Sequence, residues 1–385
     1  MAVPVTRAAA RPGKRRAVPA SDIDVIMTLC AGFAPPHHRR RVRSSMSAAR
    51  SAEAARRPTL TQVAALAGVS LKTASRALNS EPNVAEETGR RVRDAADQLG
   101  YRLNGIAREL RRGATSALVG LISGDLTNPF YSAVASGIER ELRQHGLQLV
   151  TANNDEDAEL EHELIDAFLE RRVRALLVVP SADRHAYLAI EGSRGVPFVF
   201  LDRPPDGVAA DVVVIDNAGG ARAAAEHLLT RGHRRIAMVA DLARMVPQRG
   251  RIEGFQQAMR AAGNSEWEPY LRTDVHDVRR AEQTVRELLE LDPAPTAVFT
   301  TNNRLTTGAL RALKEHPDPP ALIGFDDFDL ADVIGTTVVA HDAVVMGREA
   351  ARLAVERIGG HAGPARSIVI STSVIARGSG ERPPR

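Results

Sequence analysis

The residues best suited to binding a ligand are carboxylate and amide side chains that follow short apolar runs, Asp202, Asn302 and Asp326, and the guanidinium of Arg251 at the start of a predicted helix. Asp202 and Asp326 can accept hydrogen bonds from hydroxyls, Arg251 donates through a planar fork, and an amide does both. This chemistry suits a polyhydroxylated ligand. Simpler roles stay open, because an Asp after a strand is often a helix N-cap and an Arg often forms a surface ion pair.

The segment Asp125–Tyr131 (DLTNPFY) adds groups of the same kind. Asn128 offers another amide, and Pro129 is typical of the first turn of a helix. Phe130 or Tyr131 can cover the apolar face of a sugar ring, although Phe130 equally suits a core position.

A second group of residues has the chemistry needed to read DNA. Arg76 can bond guanine through two hydrogen bonds, Lys72 can reach a base or a phosphate, and Leu71 can pack on a thymine methyl group. The candidate DNA-binding residues of this segment are Thr59, Ser70, Leu71, Lys72, Thr73, Ser75, Arg76 and Asn79.

Two short helices are predicted to present these residues. Thr59 and Gln62 have the spacing of a capping box, which predicts a helix over Leu60–Leu66. Gly68 permits a tight turn, and Ser70 caps a second helix over Leu71–Leu78. The early residues of the second helix in a helix-turn-helix meet base edges in the major groove. A small hairpin of two helices without a DNA-binding role is the alternative.

A third helix is predicted over Glu86–Leu99, where apolar residues share one face and Gly100 ends the helix. With this helix the chain resembles the LacI/GalR family of regulators, through TLTQVAALAGVSLKTASRALN at 59–79 and LGYRLNGIARELR at 99–111. The resemblance continues through the rest of the chain. Ala85 departs from it, since the family usually has a serine N-cap there.

The resemblance implies a division of the chain into a DNA-binding headpiece at 58–103, a hinge helix and linker at 104–115, and an effector-binding and dimerisation domain at 116–385. It also implies that Asn104, Ala107 and Leu110 contact DNA, with Leu110 wedged into the minor groove. A wedge of this kind costs unstacking energy that added contacts offset. A simple linker contact is the alternative role for Leu110.

Residues 116–385 alternate between apolar strand-like runs and helical stretches, which predicts parallel α/β sheets in two Rossmann-like lobes. The family resemblance implies the type I periplasmic-binding-protein fold. The predicted strands are Ala117–Ser123, Leu147–Ala152, Ala175–Val179, Phe198–Asp202, Val212–Asp216, Ile236–Ala240, Ala297–Thr301, Leu322–Phe325 and Ile368–Ile375, and the predicted helices include Pro129–Gln144, Leu160–Glu170 and Ala218–Thr230. Ligands in such folds sit outside the carboxyl ends of strands, where the polar residues above lie.

Charge is distributed unevenly along the 385 residues. Residues 1–115 carry 21 Lys and Arg against 9 Asp and Glu, whereas the remainder carries 30 against 38. A basic front on an acidic body suggests a region that binds a polyanion. Residues 1–57 are rich in Ala, Arg, Pro and Ser and are predicted to be a disordered basic extension.

The sequence predicts a homodimeric, cytoplasmic transcription regulator that binds operator DNA and a sugar-like effector, without cofactor, metal or membrane contact. Cys30 is the one cysteine, so a disulfide within the chain is impossible, and no run of about 18 apolar residues predicts a membrane span. A periplasmic-type sugar-binding protein without DNA function is the alternative, and residues 59–111 disfavour it. Enzyme motifs such as Gly-x-Ser-x-Gly or a glycine-rich phosphate loop are missing, which disfavours catalysis.

Overall fold

The computed structural model describes residues 58–79, 81–82, 84–101, 116–181, 184–188, 195–265 and 267–384. The predicted basic extension and the predicted hinge residues Asn104, Ala107 and Leu110 therefore lie outside the described residues. The chain divides into two compact units, Met1–Leu103 and Asn104–Arg385. Each unit is described separately below.

Among its described residues, the first unit has three helices with the predicted bounds: α1 (Leu60–Leu66), α2 (Leu71–Leu78) and α3 (Glu86–Leu99). They pack around a small core of mostly alanine and valine side chains, which lets short helices approach closely. Gly68 and Gly100 adopt the left-handed backbone that their turns require. Ala85 precedes α3 without a side-chain cap, and Glu86 and Glu87 place negative charge at that helix N-terminus instead.

The second unit contains two six-stranded sheets that define two lobes. The first-lobe sheet has the order β11-β5-β4-β3-β1-β2 and is parallel throughout. Its strands are β1 (Leu118–Ser123), β2 (Gln148–Asn153), β3 (Leu176–Val178), β4 (Phe198–Leu201), β5 (Asp211–Ile215) and β11 (Ser367–Ile370).

The second-lobe sheet has the corresponding order β12-β10-β9-β8-β6-β7, with β12 antiparallel to β10 and the other pairs parallel. Its strands are β6 (Ile236–Val239), β7 (Leu271–Arg272), β8 (Ala297–Thr300), β9 (Ala321–Phe325), β10 (Thr337–Ala340) and β12 (Ser373–Ile375). Equal strand orders mean that each strand of one lobe has an equivalent in the other, for example β4 and β9.

Helices cover both faces of each sheet, so the inner strands are almost entirely apolar and buried, whereas the edge strands β2, β7, β11 and β12 are partly exposed. The helices are α4 (Pro129–Gln144), α5 (Ala158–Glu170), α6 (Asn217–Thr230), α7 (Val246–Ala261), α8 (Val278–Leu289), α9 (Asn303–Leu313) and α10 (Ala343–Ile358). None of the helices in the described part of the chain combines the length and apolarity that crossing a membrane demands.

The chain passes between the two lobes three times. It crosses at Asp216 between β5 and α6, at His341–Asp342 between β10 and α10, and at Ser371–Thr372 between β11 and β12. The last crossing corrects the prediction of one strand over Ile368–Ile375, since that run forms two strands in different sheets. Strands β7 and β10 were not predicted, and the antiparallel β12 departs from the predicted parallel sheets.

Candidate functional site

A cavity of about 250 Å³ lies between the lobes, at the carboxyl ends of strands from both sheets. The fold therefore gathers side chains that the sequence separates by up to about two hundred positions. The lining residues are Gly124, Asp125, Asn128, Phe130, Tyr131, Asp155, Glu156, Asp202, Arg203, Asp241, Met245, Pro247, Gln248, Arg251, His276, Asn302, Arg304 and Asp326. All seven residues predicted to bind an effector are among them.

Asp202 and Asp326 hold equivalent positions in the two lobes. Each directly follows its strand, β4 or β9, and each has a positive φ, 65° and 69°. Left-handed backbone is uncommon outside glycine, although aspartate tolerates it, and such residues often occur at binding sites. A turn rather than a helix follows each of them, so neither is a helix N-cap.

Arg251 is buried on α7 and has a partner for each part of its guanidinium. Its Nε donates to Asn217 Oδ1 at 2.8 Å, its Nη1 donates to the Thr301 carbonyl, and its Nη2 lies 3.7 Å from Asp326 Oδ1. The guanidinium also lies over the Phe325 ring, 3.7 Å from its centroid. A surface ion pair is therefore the wrong interpretation of this residue.

His341 contacts the same oxygen of Asp326 that lies near Arg251. Its Nε2 is 3.0 Å from Asp326 Oδ1, and its buried Nδ1 has no hydrogen-bond partner among the described residues. His341 was not among the predicted site residues. Asp326 is thus fixed between a guanidinium and an imidazole.

The two aspartates differ in their pKa values. Burial raises the pKa of Asp202, against the opposing charges of Arg203 and Arg251. Burial acts in the same direction on Asp326, but the Arg251 charge and the His341 hydrogen bond outweigh it, so the pKa of Asp326 lies below its usual range. Asp326 is therefore the more readily ionised carboxylate of the pair.

Asn302 caps α9, since its Oδ1 accepts from Leu305 N at 2.9 Å, and its Nδ2 donates to Asp241 Oδ2 at 2.7 Å. The other oxygen of Asp241 lies 2.8 Å from Nδ1 of the half-exposed His276. Asn302, rather than Asp202 or Asp326, is thus a helix N-cap, although its side chain still lines the cavity.

The loop that precedes α4 supplies the first-lobe wall. Asn128 caps α4, and its Oδ1 accepts from Phe130 N at 3.1 Å and from Asn303 Nδ2 at 3.0 Å. Phe130 is half-buried and stacks edge-on against Tyr131 and His341. Tyr131 belongs to the main core, and burial raises the pKa of its hydroxyl well above the usual value.

Two further arginines are matched with carboxylates at the cavity wall. Arg203 forms a two-pronged pair with Glu156, with N–O distances of 2.5 and 2.7 Å. Arg304 on α9 pairs with Asp125 and donates to Thr127 Oγ1 at 2.7 Å. The Arg304 contacts join the second lobe to the first.

Several lining residues were not among the predicted site residues. Glu156 and Asp241 follow strands, so the rule that ligands sit at carboxyl strand ends could have found both. Arg203 is adjacent to a predicted residue. Gln248 and His276 have no comparable sequence signal. Gln248 is 5% exposed, and its Oε1 has no hydrogen-bond partner among the described residues.

In the first unit, the predicted DNA-binding residues lie along α1 and α2. Thr59 and Ser70 are N-caps, accepting from Gln62 N and Thr73 N. Leu71 and Lys72 are exposed at the start of α2. Thr73, Ser75, Arg76 and Asn79 are partly buried on the same helix and its C-cap.

Arg76 already has partners within the first unit. Its Nη2 donates to the Pro82 carbonyl at 2.8 Å, and its Nε lies 3.6 Å from Glu81 Oε2. Elsewhere, no group of His, Cys, Asp and Glu side chains within the described ranges is arranged to hold a metal ion.

Comparisons with known proteins match both units. Residues 59–104 match the model of bacterial regulatory proteins of the lacI family, and residues 116–319 match that of periplasmic binding proteins and the sugar-binding domain of the LacI family. The HTH-type transcriptional regulator CelR of Thermobifida fusca is 34% identical over 342 residues, covering 85% of this chain and all of CelR. The ribose operon repressor of Escherichia coli is 31% identical, covering 71% of this chain and 84% of the repressor.

A solved structure of a CelR–cellobiose complex superposes with a TM-score of 0.62 at 32% identity. It covers 84% of this chain and all of the other chain. These relatives are transcriptional regulators.

Proposed function

The chain belongs to the LacI family of bacterial regulatory proteins and is a helix-turn-helix transcriptional regulator. On that premise we propose that a carbohydrate bound between its lobes controls its affinity for operator DNA. The observation that carries this proposal is the polar cavity around Arg251 and Asp326. Its carboxylates, amides and guanidiniums can form hydrogen bonds with several hydroxyls at once, and the relative CelR has been solved in complex with cellobiose.

Arg251 and Asp326 form the centre of the proposed effector site. Asp202, Gln248 and Asn128 add polar groups around them, and Phe130 offers an aromatic face to an apolar sugar face. Because Tyr131 and Asn302 already serve the core and a helix cap, they contribute to the shape of the cavity more than to hydrogen bonding.

DNA recognition falls to the start of α2. Leu71 and Lys72 are exposed there, and we assign them with Thr73, Ser75 and Arg76 to the major groove. Thr59, Ser70 and Asn79 lie at the helix ends, where contacts to phosphates are usual. Asn104, Ala107 and Leu110 are assigned to a hinge that reads the minor groove, by family resemblance alone.

Side chains of the proposed effector site form hydrogen bonds with the segments in which the chain crosses between the lobes. These contacts can transmit ligand binding to the angle between the lobes. Arg251 bonds Asn217, the residue after the first crossing, and Asp326 bonds His341 at the second. A ligand that moves Arg251 or Asp326 therefore acts directly on the segments that set the angle between lobes. A coupling free energy of about 1–3 kcal/mol would change operator affinity roughly 5- to 150-fold.

A homodimer on a pseudo-palindromic operator is the assembly we propose, because one headpiece reads too few base pairs for specificity. In support, the turn after β9 exposes Leu330, Val333 and Ile334, at 61%, 76% and 52%. Clustered apolar side chains of this kind are typical of protein–protein interfaces. Such a regulator acts in the cytoplasm, where its operator is, and has no catalytic role.

The test is operator titration of the wild type and Arg251→Ala, with and without a sugar identified by a thermal-shift screen. We expect Arg251→Ala to lose the response to the sugar. Arg249→Ala is the matched control, because Arg249 lies on the same helix but is exposed and bonds only the Arg244 carbonyl among its described contacts. If Arg251→Ala responded at the same sugar concentration as the wild type, Arg251 would not be part of the effector site. If the effector proved to be a purine or an amino acid, the carbohydrate assignment would be wrong.

A further inference from the structure

We infer that the cavity selects an uncharged carbohydrate and discriminates against sugar phosphates and sugar acids. This inference rests on the proposed function, in which the cavity is the effector site, and adds the charge class of the effector. It follows from how the charges that line the cavity are paired.

Carboxylates outnumber guanidiniums in the cavity wall. Six acidic side chains face three arginines. The acidic residues are Asp125, Asp155, Glu156, Asp202, Asp241 and Asp326, and the arginines are Arg203, Arg251 and Arg304. Burial raises the pKa of Asp202, but even a protonated Asp202 would leave more carboxylates than guanidiniums.

Two of the three guanidiniums are already neutralised by a carboxylate in direct contact. Both terminal nitrogens of Arg203 donate to Glu156, and its Nη1 also donates to the Pro180 carbonyl at 2.7 Å. Arg304 is paired with Asp125. An anionic ligand that reached either arginine would lie beside the carboxylate already paired with it, and the two like charges would repel in a partly buried site.

Arg251 is the third guanidinium, and it too is unsuited to an anion. Two of its nitrogens donate to Asn217 and Thr301, while Asp326 lies 3.7 Å from the remaining one. A phosphate carrying about two negative charges at neutral pH would have to approach Arg251 beside the ionised Asp326. Like charges brought together in a site of low polarity repel strongly.

Neutral hydroxyls fit the same groups without this conflict. Asp202 and Asp326 accept from hydroxyls, and Gln248 presents a 95% buried amide whose Oε1 accepts nothing among the described residues. A hydroxyl both donates and accepts, so a polyol can satisfy carboxylates, amides and N–H groups together.

The test measures binding of matched sugar pairs to the full chain by isothermal titration calorimetry. The pairs are glucose with glucose 6-phosphate, glucose with gluconate and ribose with ribose 5-phosphate, and cellobiose is added as a neutral disaccharide. For any pair that binds, we expect the charged member to bind at least about tenfold more weakly.

Glu156→Gln gives the inference a gain-of-function test, because it removes the charge that neutralises Arg203 while keeping an amide of similar shape. We expect the ratio of affinities to move toward the phosphorylated member by at least about tenfold. Glu163→Gln, at an exposed position of α5, removes the same charge outside the cavity and should leave the ratio unchanged. Asp125→Asn, which releases Arg304, repeats the test if Glu156→Gln does not fold.

The outcomes separate this inference from the proposed function. If a sugar phosphate or sugar acid binds the wild type more tightly than its neutral parent, the carbohydrate response stands and the charge selection is wrong. If neither binding nor operator affinity responds to any of these sugars or to the wider sugar screen, the proposed carbohydrate response fails, and the charge selection fails with it.

Discussion

At the scale of single residues, Arg251 shows why an arginine is needed at the centre of the cavity. Its planar guanidinium lies over Phe325 while its nitrogens bond Asn217 and Thr301 in different directions. A lysine ammonium is a point charge without this planar fork and could not make the stacked contact and both hydrogen bonds in the same geometry.

Arg76 is the residue on which we expect operator specificity to depend. Arg76→Ala should weaken operator binding by about 1–3 kcal/mol and relax the preference at one base pair in each half-site. Selection of binding sites from random DNA measures both effects. Because Arg76 bonds the Pro82 carbonyl in the free headpiece, DNA binding must redirect part of its guanidinium.

Arg90→Ala is the control for Arg76, since Arg90 is an exposed arginine on α3. Its loss should leave the base preference unchanged, whatever it does to overall affinity. Uniform weakening by Arg76→Ala, with the preference intact, would instead assign Arg76 to a phosphate contact.

At the scale of elements, glycine residues allow the helices α4 and α10 to pack closely against each other. A Cβ atom on Gly137 of α4 or on Gly347 of α10 would fall closer than 3.0 Å to the backbone of the other helix. The two helices can therefore cross at this distance only because both positions lack a side chain.

Gly347→Ala should destabilise the protein by about 1–3 kcal/mol, because the added methyl group forces α4 and α10 apart. Urea denaturation monitored by circular dichroism measures the change in the free energy of unfolding. Gly359→Ala, at the end of the same helix, meets no atom closer than 3.3 Å and should change stability by less than about 1 kcal/mol. Equal effects of the two substitutions would contradict the close-crossing explanation.

An ion-pair cluster fixes the start of β5 to α10 and β11. The buried Asp211 carboxylate accepts from Arg357 Nη2 at 2.8 Å and from Arg366 Nη2 at 2.9 Å. Burial would raise the pKa of Asp211, but the hydrogen bonds from the two arginines outweigh it and hold that pKa well below its usual range.

We expect Asp211→Asn to lower the free energy of unfolding at pH 7 by about 2–4 kcal/mol, since it removes the buried charge that Arg357 and Arg366 share, although Arg366 keeps its pair with Glu356. A depressed pKa in the folded state means that the unfolded chain binds the proton first, so this stabilisation is complete above about pH 4 and is lost below it. Denaturation at several pH values should therefore show a constant gap between wild type and variant from pH 6 down to about pH 4, and a gap that narrows as the pH falls further toward 2. A gap that stayed constant below about pH 4 as well would show that packing rather than charge explains the loss.

At the scale of the whole second unit, the contacts of Arg304 hold the lobes together across the cavity. Arg304→Ala removes the bonds to Asp125 and Thr127, so we expect the lobes to separate more often without ligand. Hydrogen exchange of residues 124–128 should accelerate by several-fold, and effector affinity should fall because the closed form is less populated.

Arg311→Ala on the same helix is the control, because Arg311 is exposed and away from the cavity. It should leave exchange at 124–128 unchanged. If Arg304→Ala also left that exchange unchanged, the lobes would be held by other contacts, such as that between Asn303 and Asn128.

The sequence by itself determined most of the described helices and strands of this protein. The bounds of α1, α2 and α3 are those predicted, and most strands of the second unit agree within one or two residues. Capping residues and the period of apolar side chains are local features, so they are legible along the chain. The seven predicted effector residues share one cavity because carboxyl strand ends meet there, although their roles in binding stay predictions.

The tertiary structure alone decided which side chains are partners. Arg203 pairs with Glu156 across 47 positions and Arg304 with Asp125 across 179, and no local pattern predicts either pair. The division of residues 367–375 between two sheets was equally hidden, because one continuous apolar run suits either sheet. The pairing of these side chains and strands depends on where the chain crosses between the lobes. The positions of the crossings are set by the packing of the whole unit rather than by residues that are neighbours in the sequence.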